Sequence, residues 1–315
     1  MGHCAPTVMQ TVLDASGGEP EWLVKLTAGL PGGIGNTRGE CGGLTAPLVV
    51  IGLRHGRDEV ADGLPIAVDK GLDLLRRFEA AHGTTQCREI LGDARLPLRC
   101  VGVVRRAPSM CAHCLAARGG EPEALPPPTR NAYRELYAHW QERGFHCADA
   151  VFDDLAESSV APIELRHATT GFMGGTLFTG MTCSALTAGV MAIGLALGQV
   201  ENSRTRVLRM IGTMAVGGNA LADELNAFNP VMNLGHELAA WFRTEFGSIR
   251  CRDLTGCDFA SADDVREYIV TDGTTRCRGI AERVAARVAD LVEGARTAAD
   301  ERATAGTSSA WSRRR

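Results

Sequence analysis

Lysine, aromatic side chains and long apolar runs are all scarce in this chain of 315 residues. Only Lys25 and Lys70 are lysines, and aromatic residues make up 5%. The formal net charge is −4, which argues against a basic surface for nucleic acid. The longest apolar stretch, Cys183 to Gly198, has 16 residues, whereas a membrane span needs about 20. We therefore expect neither a nucleic-acid partner nor a membrane span.

A secretory signal is also lacking, because no basic segment followed by an apolar run stands at the start of the sequence. This pattern predicts a cytoplasmic protein, in which thiols stay reduced. The 11 cysteines then indicate metal ligation or thiol chemistry rather than a disulfide framework.

What the sequence does contain is an internal repeat. Leu26–Gly56 aligns with Ala168–Gly198 at a constant offset of 142, with 13 of 31 positions identical. Self-similarity of this kind predicts two copies of one structural unit. Three cysteines recur in register: Cys4 with Cys147, Cys41 with Cys183, and Cys87 with Cys251.

The repeat divides the chain into two homologous domains. We assign residues 1–118 to the first repeat, 119–130 to a Pro/Gly-rich linker, 131–298 to the second repeat and 299–315 to a disordered tail. The second copy carries 22 extra residues between Gly198 and Phe242. It also has a leader helix before its first cysteine, which the first copy lacks, so we expect the natural N-terminus to be longer.

Both copies are expected to be helical. Apolar residues recur at helical spacing in three segments, and Ser261 followed by Asp263 and Asp264 is typical of a helix start. We find no run of alternating strands. The fold class is therefore all-α, with two tandem helical domains packed about a pseudo-twofold axis as a dimer within one chain.

Glycine-rich loops precede the second cysteine of each repeat. Cys41 and Cys183 each stand where such a loop enters an apolar helix. Unpaired backbone N–H groups and the helix dipole favour thiolate there, so we expect a lowered thiol pKa. Glycines let backbone approach a bound group closely, and four of them are candidates to contact a cofactor: Gly32, Gly33, Gly174 and Gly175.

Cysteine ligands are more numerous in the second repeat, which is therefore expected to hold the intact site. It offers Cys147, Cys183, Cys251, Cys257 and Cys277, and four thiolates suffice for an iron–sulfur cluster or a structural zinc. In the first repeat Asp93 replaces Cys257. Spacing favours the pair Cys111 and Cys114 over Cys100 as the counterpart of Cys277, so the candidate ligands there are Cys4, Cys41, Cys87, Cys111 and Cys114.

Haem attachment is excluded, because Leu115 stands where a c-type site needs histidine directly after Cys114. The Cys111-Ala-His-Cys114 element remains half a metal site, a resolving dithiol or a surface pair without function.

At this point the residues resemble a known family. Gly39-Glu40-Cys41-Gly42-Gly43-Leu44-Thr45 and Cys183-Ser184-Ala185-Leu186-Thr187 are similar to the redox-active proteins named for a C…GCAxxG…C…C pattern. The resemblance covers most of both halves. It also implies a relationship to the helical part of split-Soret cytochromes, and hence an all-α fold and redox work.

Three hypotheses for function follow. The leading hypothesis is electron transfer through a cysteine-ligated metal centre of the iron–sulfur type, with an unidentified redox partner. The second is a metal-free dithiol–disulfide oxidoreductase, with Cys183 as nucleophile and Cys251 or Cys257 as resolving thiol. The third is a structural zinc site or an interaction module.

Overall fold

The computed structural model describes residues 3–17, 20–92, 98–117, 125–158, 160–200 and 230–312, with backbone alone for 157 and 302–312. No helix in these ranges combines the length and the apolar character that crossing a membrane requires. The insertion expected between Gly198 and Phe242 overlaps residues 201–229, which lie outside the described residues. Asp93 and the first half of the expected linker, residues 119–124, also lie outside them.

In the described part of the first repeat the chain forms five helices, one 3-10 segment and a minimal hairpin. In chain order they are α1 (Cys4–Ser16), the 3-10 segment Glu21–Thr27, α2 (Gly42–His55), β1 (Val60–Ala61), β2 (Leu64–Pro65), α3 (Ile66–His82), α4 (Cys87–Leu91) and α5 (Leu98–Ala116). The two strands pair antiparallel, Ala61 opposite Leu64.

The second repeat follows the same order after a leader helix. Its elements are α6 (Pro127–Glu142), α7 (Asp149–Glu157), the 3-10 segment Ile163–Phe172, α8 (Ser184–Leu197), α9 (Pro230–Phe246), α10 (Cys251–Thr255), α11 (Ala262–Val270) and α12 (Gly273–Ser312). Helix α11 has no counterpart among the described residues of the first repeat.

The predicted apolar faces are confirmed as core faces. Val68, Leu72, Leu75 and Phe78 of α3 are buried. At the predicted start of α11, the Ser261 hydroxyl accepts a hydrogen bond from the Asp264 N–H, which satisfies one of the free donors at that helix end. The all-α prediction is confirmed, since the hairpin contains the only paired strands in the described part of the chain.

Close glycine contacts show that the two repeats interlock about a pseudo-twofold axis. A Cβ added at Gly52 would lie 2.5 Å from the carbonyl oxygen of His167, and one at Gly194 would lie 2.5 Å from that of Lys25. Gly194 corresponds to Gly52, and His167 to Lys25, at the same offset of 142. Each central helix, α2 or α8, therefore packs on the 3-10 segment of the other repeat, as in a dimer.

Alanine at Gly52 or Gly194 is expected to destabilise the protein, because its Cβ would be forced against backbone that cannot turn aside. Overpacking of this kind costs about 1–3 kcal/mol. The control is Gly294→Ala on α12, where a Cβ meets nothing within 4 Å and alanine is the better helix former. Thermal unfolding followed by circular dichroism should show a lower Tm for the first two variants only. An unchanged Tm in Gly52→Ala would contradict the interlocked packing.

The structure differs from the expected boundaries at two places. Helix α6 begins at Pro127, inside the segment assigned to the linker, because proline is well suited to the first turn of a helix. The terminal helix continues to Ser312, where a disordered tail was expected from residue 299. Alanines at Ala298, Ala299, Ala303 and Ala305 favour a helix there.

Candidate functional site

A short backbone ladder brings two cysteines of each repeat together. The Cys41 N–H donates to the Thr85 carbonyl at 2.8 Å, and the Cys87 N–H donates to the Gly39 carbonyl at 2.7 Å. The second repeat forms the same ladder, with Cys183 N–H to Ile249 O at 2.8 Å and Cys251 N–H to Met181 O at 2.6 Å. The second and third cysteines of each repeat are therefore fixed side by side.

Left-handed backbone shapes the loop before each ladder. Gly32 to Asn36 all have positive φ, including Ile34 at 54° and Asn36 at 57°, and so do Gly174 to Phe178. Non-glycine residues in this region are strained, by roughly 1–2 kcal/mol per residue. Such strain concentrates at functional sites, where the surrounding structure enforces it.

Four thiols of the second repeat line one small cavity of about 20 Å³. We call Cys147, Cys183, Cys251 and Cys277 the second thiol centre. The rest of the cavity wall is mostly apolar: Trp140, Gly174, Ser184, Ala185, Leu254, Thr255, Phe259 and Ile280. The Tyr268 hydroxyl donates to the Cys277 sulfur at 3.3 Å. The space has room for about one water molecule.

Four thiols of the first repeat also lie within electrostatic reach of one another. We call Cys4, Cys41, Cys87 and Cys100 the first thiol centre. Negative charge on Cys4, Cys87 or Cys100 would raise the pKa of Cys41, and Cys4 acts likewise on Cys87 and Cys100. A Cβ on Gly42 would lie 2.7 Å from the Cys4 sulfur, so that thiol rests on the start of α2. The first repeat, expected to be degenerate, therefore gathers as many thiols as the second.

Cys100 lies with the first thiol centre, although spacing placed it second to Cys111 and Cys114 as the counterpart of Cys277. Cys111 and Cys114 lie about three and about four turns further along α5, and Cys111 is roughly 16 Å from Cys100 along the helix. Cys111 faces the Pro47 carbonyl, and Cys114 donates to Asp73 Oδ2 at 3.5 Å. Spacing misled because α11 adds a helix between Cys251 and Cys277. The usable signal was the motif Cys-x-Gly, shared by Cys100 and Cys277.

Cys257 lies beside the second thiol centre but does not line its cavity. Burial and the nearby Asp264 and Asp258 carboxylates raise its pKa to about 12. The structure therefore places four of the five predicted cysteines of this repeat around one cavity. The fifth, Cys257, lies outside the cavity wall but within electrostatic reach of Cys251 and Cys277.

The expected low thiol pKa is wrong for both helix-start cysteines. Burial, followed by neighbouring thiols, raises the pKa of Cys183 to about 12 and that of Cys41 well above its usual value. Backbone N–H groups at the helix start, those of Ala185 and Leu186 for Cys183, do lower it. Desolvation outweighs them because the charged form is penalised inside an apolar wall.

Three of the four candidate glycines lie beside a cysteine: Gly32, Gly174 and Gly175. Backbone hydrogen bonds from Gly32 to Cys4 and from Gly174 to Cys147 lower the pKa of these thiols, against a larger opposite effect of burial. Gly175 leaves space for the third cysteine, since a Cβ there would lie 2.6 Å from the Cys251 Cβ. Gly33 instead permits the loop to fold on itself, its missing Cβ lying 2.5 Å from the Gly39 nitrogen.

The thiols adjoin each other without a preformed coordination shell. No group of three or more His, Cys, Asp or Glu side chains in the described ranges stands in metal-holding geometry, and all 11 cysteines are free. Thiols are the donor type that a thiophilic metal prefers, and backbone N–H groups of Gly32 and Gly174 are directed at Cys4 and Cys147. Binding would require the thiols to lose their protons and close on the metal.

A buried carboxylate links the two repeats next to both centres. Glu40, which precedes Cys41, is 1% exposed. It accepts hydrogen bonds from the Thr176 hydroxyl at 2.8 Å and from the Thr182 N–H and hydroxyl at 3.0 and 2.6 Å. Thr182 precedes Cys183 and corresponds to Glu40 in the repeat. The two centres therefore meet across the pseudo-twofold axis through one residue pair.

The family comparison agrees with this duplicated arrangement. The model of the family described as "Putative redox-active protein (C_GCAxxG_C_C)" matches twice, at residues 2–117 and 145–291. The chain belongs to this family. Both matches include all four cysteines of a thiol centre, so the family's cysteine pattern is carried by each repeat. Neither a curated protein nor a solved structure matches the chain.

Proposed function

We propose that each thiol centre of this family member ligates an iron–sulfur centre and that the protein transfers electrons. The observation that carries the proposal is the convergence of four thiols in each repeat, from four segments far apart in sequence. Core cysteines placed only for packing would not gather at the same point twice. Cys4, Cys41, Cys87 and Cys100 would hold the first centre, and Cys147, Cys183, Cys251 and Cys277 the second.

The surroundings of the thiols support a charged sulfur site. Burial, followed by repulsion from neighbouring thiolates, raises the pKa of Cys183 to about 12 and that of Cys251 well above its usual value. Four thiolates would therefore coexist in this site only around a cation. Backbone N–H groups at the starts of α2 and α8 would donate to the sulfurs and raise the reduction potential. When bound, such a centre takes up and releases single electrons. The apolar wall, including Trp140 and Phe259, would exclude water.

The two rival functions are less well supported. A dithiol oxidoreductase needs an accessible thiolate near neutral pH, whereas the Cys183 thiol is buried and its pKa is raised to about 12. A purely structural zinc site is disfavoured by the family, whose description names redox activity.

The decisive experiment is metal and sulfide analysis of protein purified without oxygen. We expect iron with acid-labile sulfide and a visible spectrum that dithionite bleaches. Iron without labile sulfide would indicate a single iron ion instead of a cluster, and a cavity of about 20 Å³ accommodates one ion more easily. Zinc without a redox response, or colourless protein without metal, would overturn the proposal; reversible thiol oxidation in the metal-free protein would select the dithiol function.

A further inference from the structure

A positively charged cleft lies between the end of α3 and the first turns of α5. It encloses about 490 Å³, within the range of small-molecule sites. Among the described residues, its charged lining consists of Arg99, Arg105, Arg106 and the acidic Glu89, and His82 also lies at its wall.

The three arginines of this cleft are available to a ligand. All three are exposed, and none forms an ion pair with another described residue. The His82 Nε2 is shielded from solvent and also lacks a hydrogen-bond partner among the residues that the structure describes. In a chain of net charge −4, such a concentration of unpaired positive charge needs an explanation.

The second repeat provides an internal comparison. With Cys100 matched to Cys277, Arg106 corresponds to Arg283. Arg283 forms an ion pair with Glu245, and its guanidinium lies 5.2 Å from the centre of the Phe246 ring. The second repeat therefore satisfies this arginine within the protein.

In the first repeat the same neighbours have been exchanged for small or polar residues. Ala81 stands at the position of Glu245 and His82 at that of Phe246, while Arg105 replaces Glu282. The exchanges remove two acidic side chains and an aromatic ring, and add one arginine. They leave Arg106 without an ion-pair partner among the described residues, whereas Arg283 of the second repeat has one. A general property of the fold would not explain this difference.

We infer that this cleft binds a small polyanion carrying phosphate or carboxylate groups. Guanidinium groups recognise both through paired N–H···O bonds, and several arginines converging on one cleft favour more than one anionic group. The cleft walls are α4, which begins at Cys87, and α5, which carries Cys100. A bound anion would therefore lie next to the first thiol centre, in a position suited to a substrate or an effector of that centre.

The test is calorimetric titration of the full chain at low salt, with inorganic pyrophosphate in one arm and tricarballylate in the other. We expect saturable binding in at least one arm, and the arm that binds identifies the anionic group. Ala81→Glu, which restores the acidic partner present in the second repeat, should weaken this binding at least tenfold, and so should Arg106→Ala. Ala81 is exposed, so the added carboxylate does not have to enter the core.

Arg283→Ala is the matched control, because it removes the corresponding arginine from the second repeat. It should bind the anion as the natural protein does. The inference is wrong if the natural protein shows no saturable binding, if Ala81→Glu and Arg106→Ala bind as tightly as it does, or if Arg283→Ala weakens binding equally. This result is independent of whether either thiol centre holds metal.

Discussion

Serine at Cys100 is expected to remove about half of the metal bound per chain, whereas serine at Cys111 and Cys114 together is expected to remove none. Cys100 belongs to the first thiol centre, and Cys111 and Cys114 face Pro47 and Asp73 instead. Loss of one thiolate from a four-thiolate site typically destroys its affinity, since a hydroxyl is a poor ligand for a soft site. The measurement is iron and labile sulfide per chain after anaerobic purification.

The second repeat offers the same comparison. Cys277→Ser should remove the other half of the metal, while Cys257→Ser should leave it in place, because Cys257 does not line the cavity. The double variant with serine at Cys100 and Cys277 should be colourless. Both residues are only partly buried, so the small polar change is tolerated by the fold, and circular dichroism would verify that.

Two results would contradict this assignment of ligands. Full metal content in Cys100→Ser with loss in the variant at Cys111 and Cys114 would restore the ligand set that spacing favoured. Equal, partial loss in every variant would indicate that the serines act on folding rather than on ligation. Because each repeat has its own matched control, the location of each centre is tested separately.

The sequence alone predicted most of the architecture but not the contacts between the two repeats, which we call the seam. The duplication follows from aligning the sequence with itself. The helical faces follow from hydrophobic periodicity, and the helix start at Ser261 follows from capping chemistry; both of these signals are local. The contact of Gly52 with the His167 carbonyl depends on how two helices meet, and the glycine itself signals only close approach. No pattern of residue spacing in the sequence predicts a packing contact between segments so far apart in the chain.

The thiol centres show the same limit of sequence reasoning. The second and third cysteines of one repeat could be matched with those of the other, because the repeats align at these positions. Cys100 could not be assigned by spacing once the second repeat had gained α11. The predicted direction of the Cys183 pKa shift was wrong. The donors at the helix start can be recognised in a sequence, whereas the depth of burial cannot, and desolvation has the larger effect on this pKa.

Glu40 is the clearest case of a residue whose importance only the structure reveals, and Glu40→Ala is expected to lower the free energy of unfolding by about 2–4 kcal/mol. The substitution leaves the Thr182 N–H and two hydroxyls without their acceptor inside the protein, and each buried unsatisfied group costs about 1–3 kcal/mol. The sum falls below three full penalties because the hydroxyls can turn to other acceptors.

Glu40→Gln separates hydrogen bonding from charge at this seam. A glutamine oxygen can still accept from the Thr182 N–H, and its amide can donate to the Thr182 hydroxyl, so the contacts survive with one proton rearranged. Removing an unpaired buried charge offsets what is lost, and we expect a change of less than about 1 kcal/mol. Guanidinium unfolding followed by circular dichroism measures both variants, with Glu79→Ala on the exposed face of α3 as the surface control.

The outcome also bears on how the two centres depend on each other. Glu40 is joined by one peptide bond to Cys41, and its carboxylate reaches Thr182, joined in turn to Cys183. If Glu40→Ala destabilises the chain, metal loss from both centres should accompany it, because both ladders rest on this contact. A stability like that of Glu79→Ala would show instead that the Glu40 contacts contribute little, and that other contacts between the repeats hold them together, such as the glycine contacts of α2 and α8 and the Arg57–Asp149 ion pair.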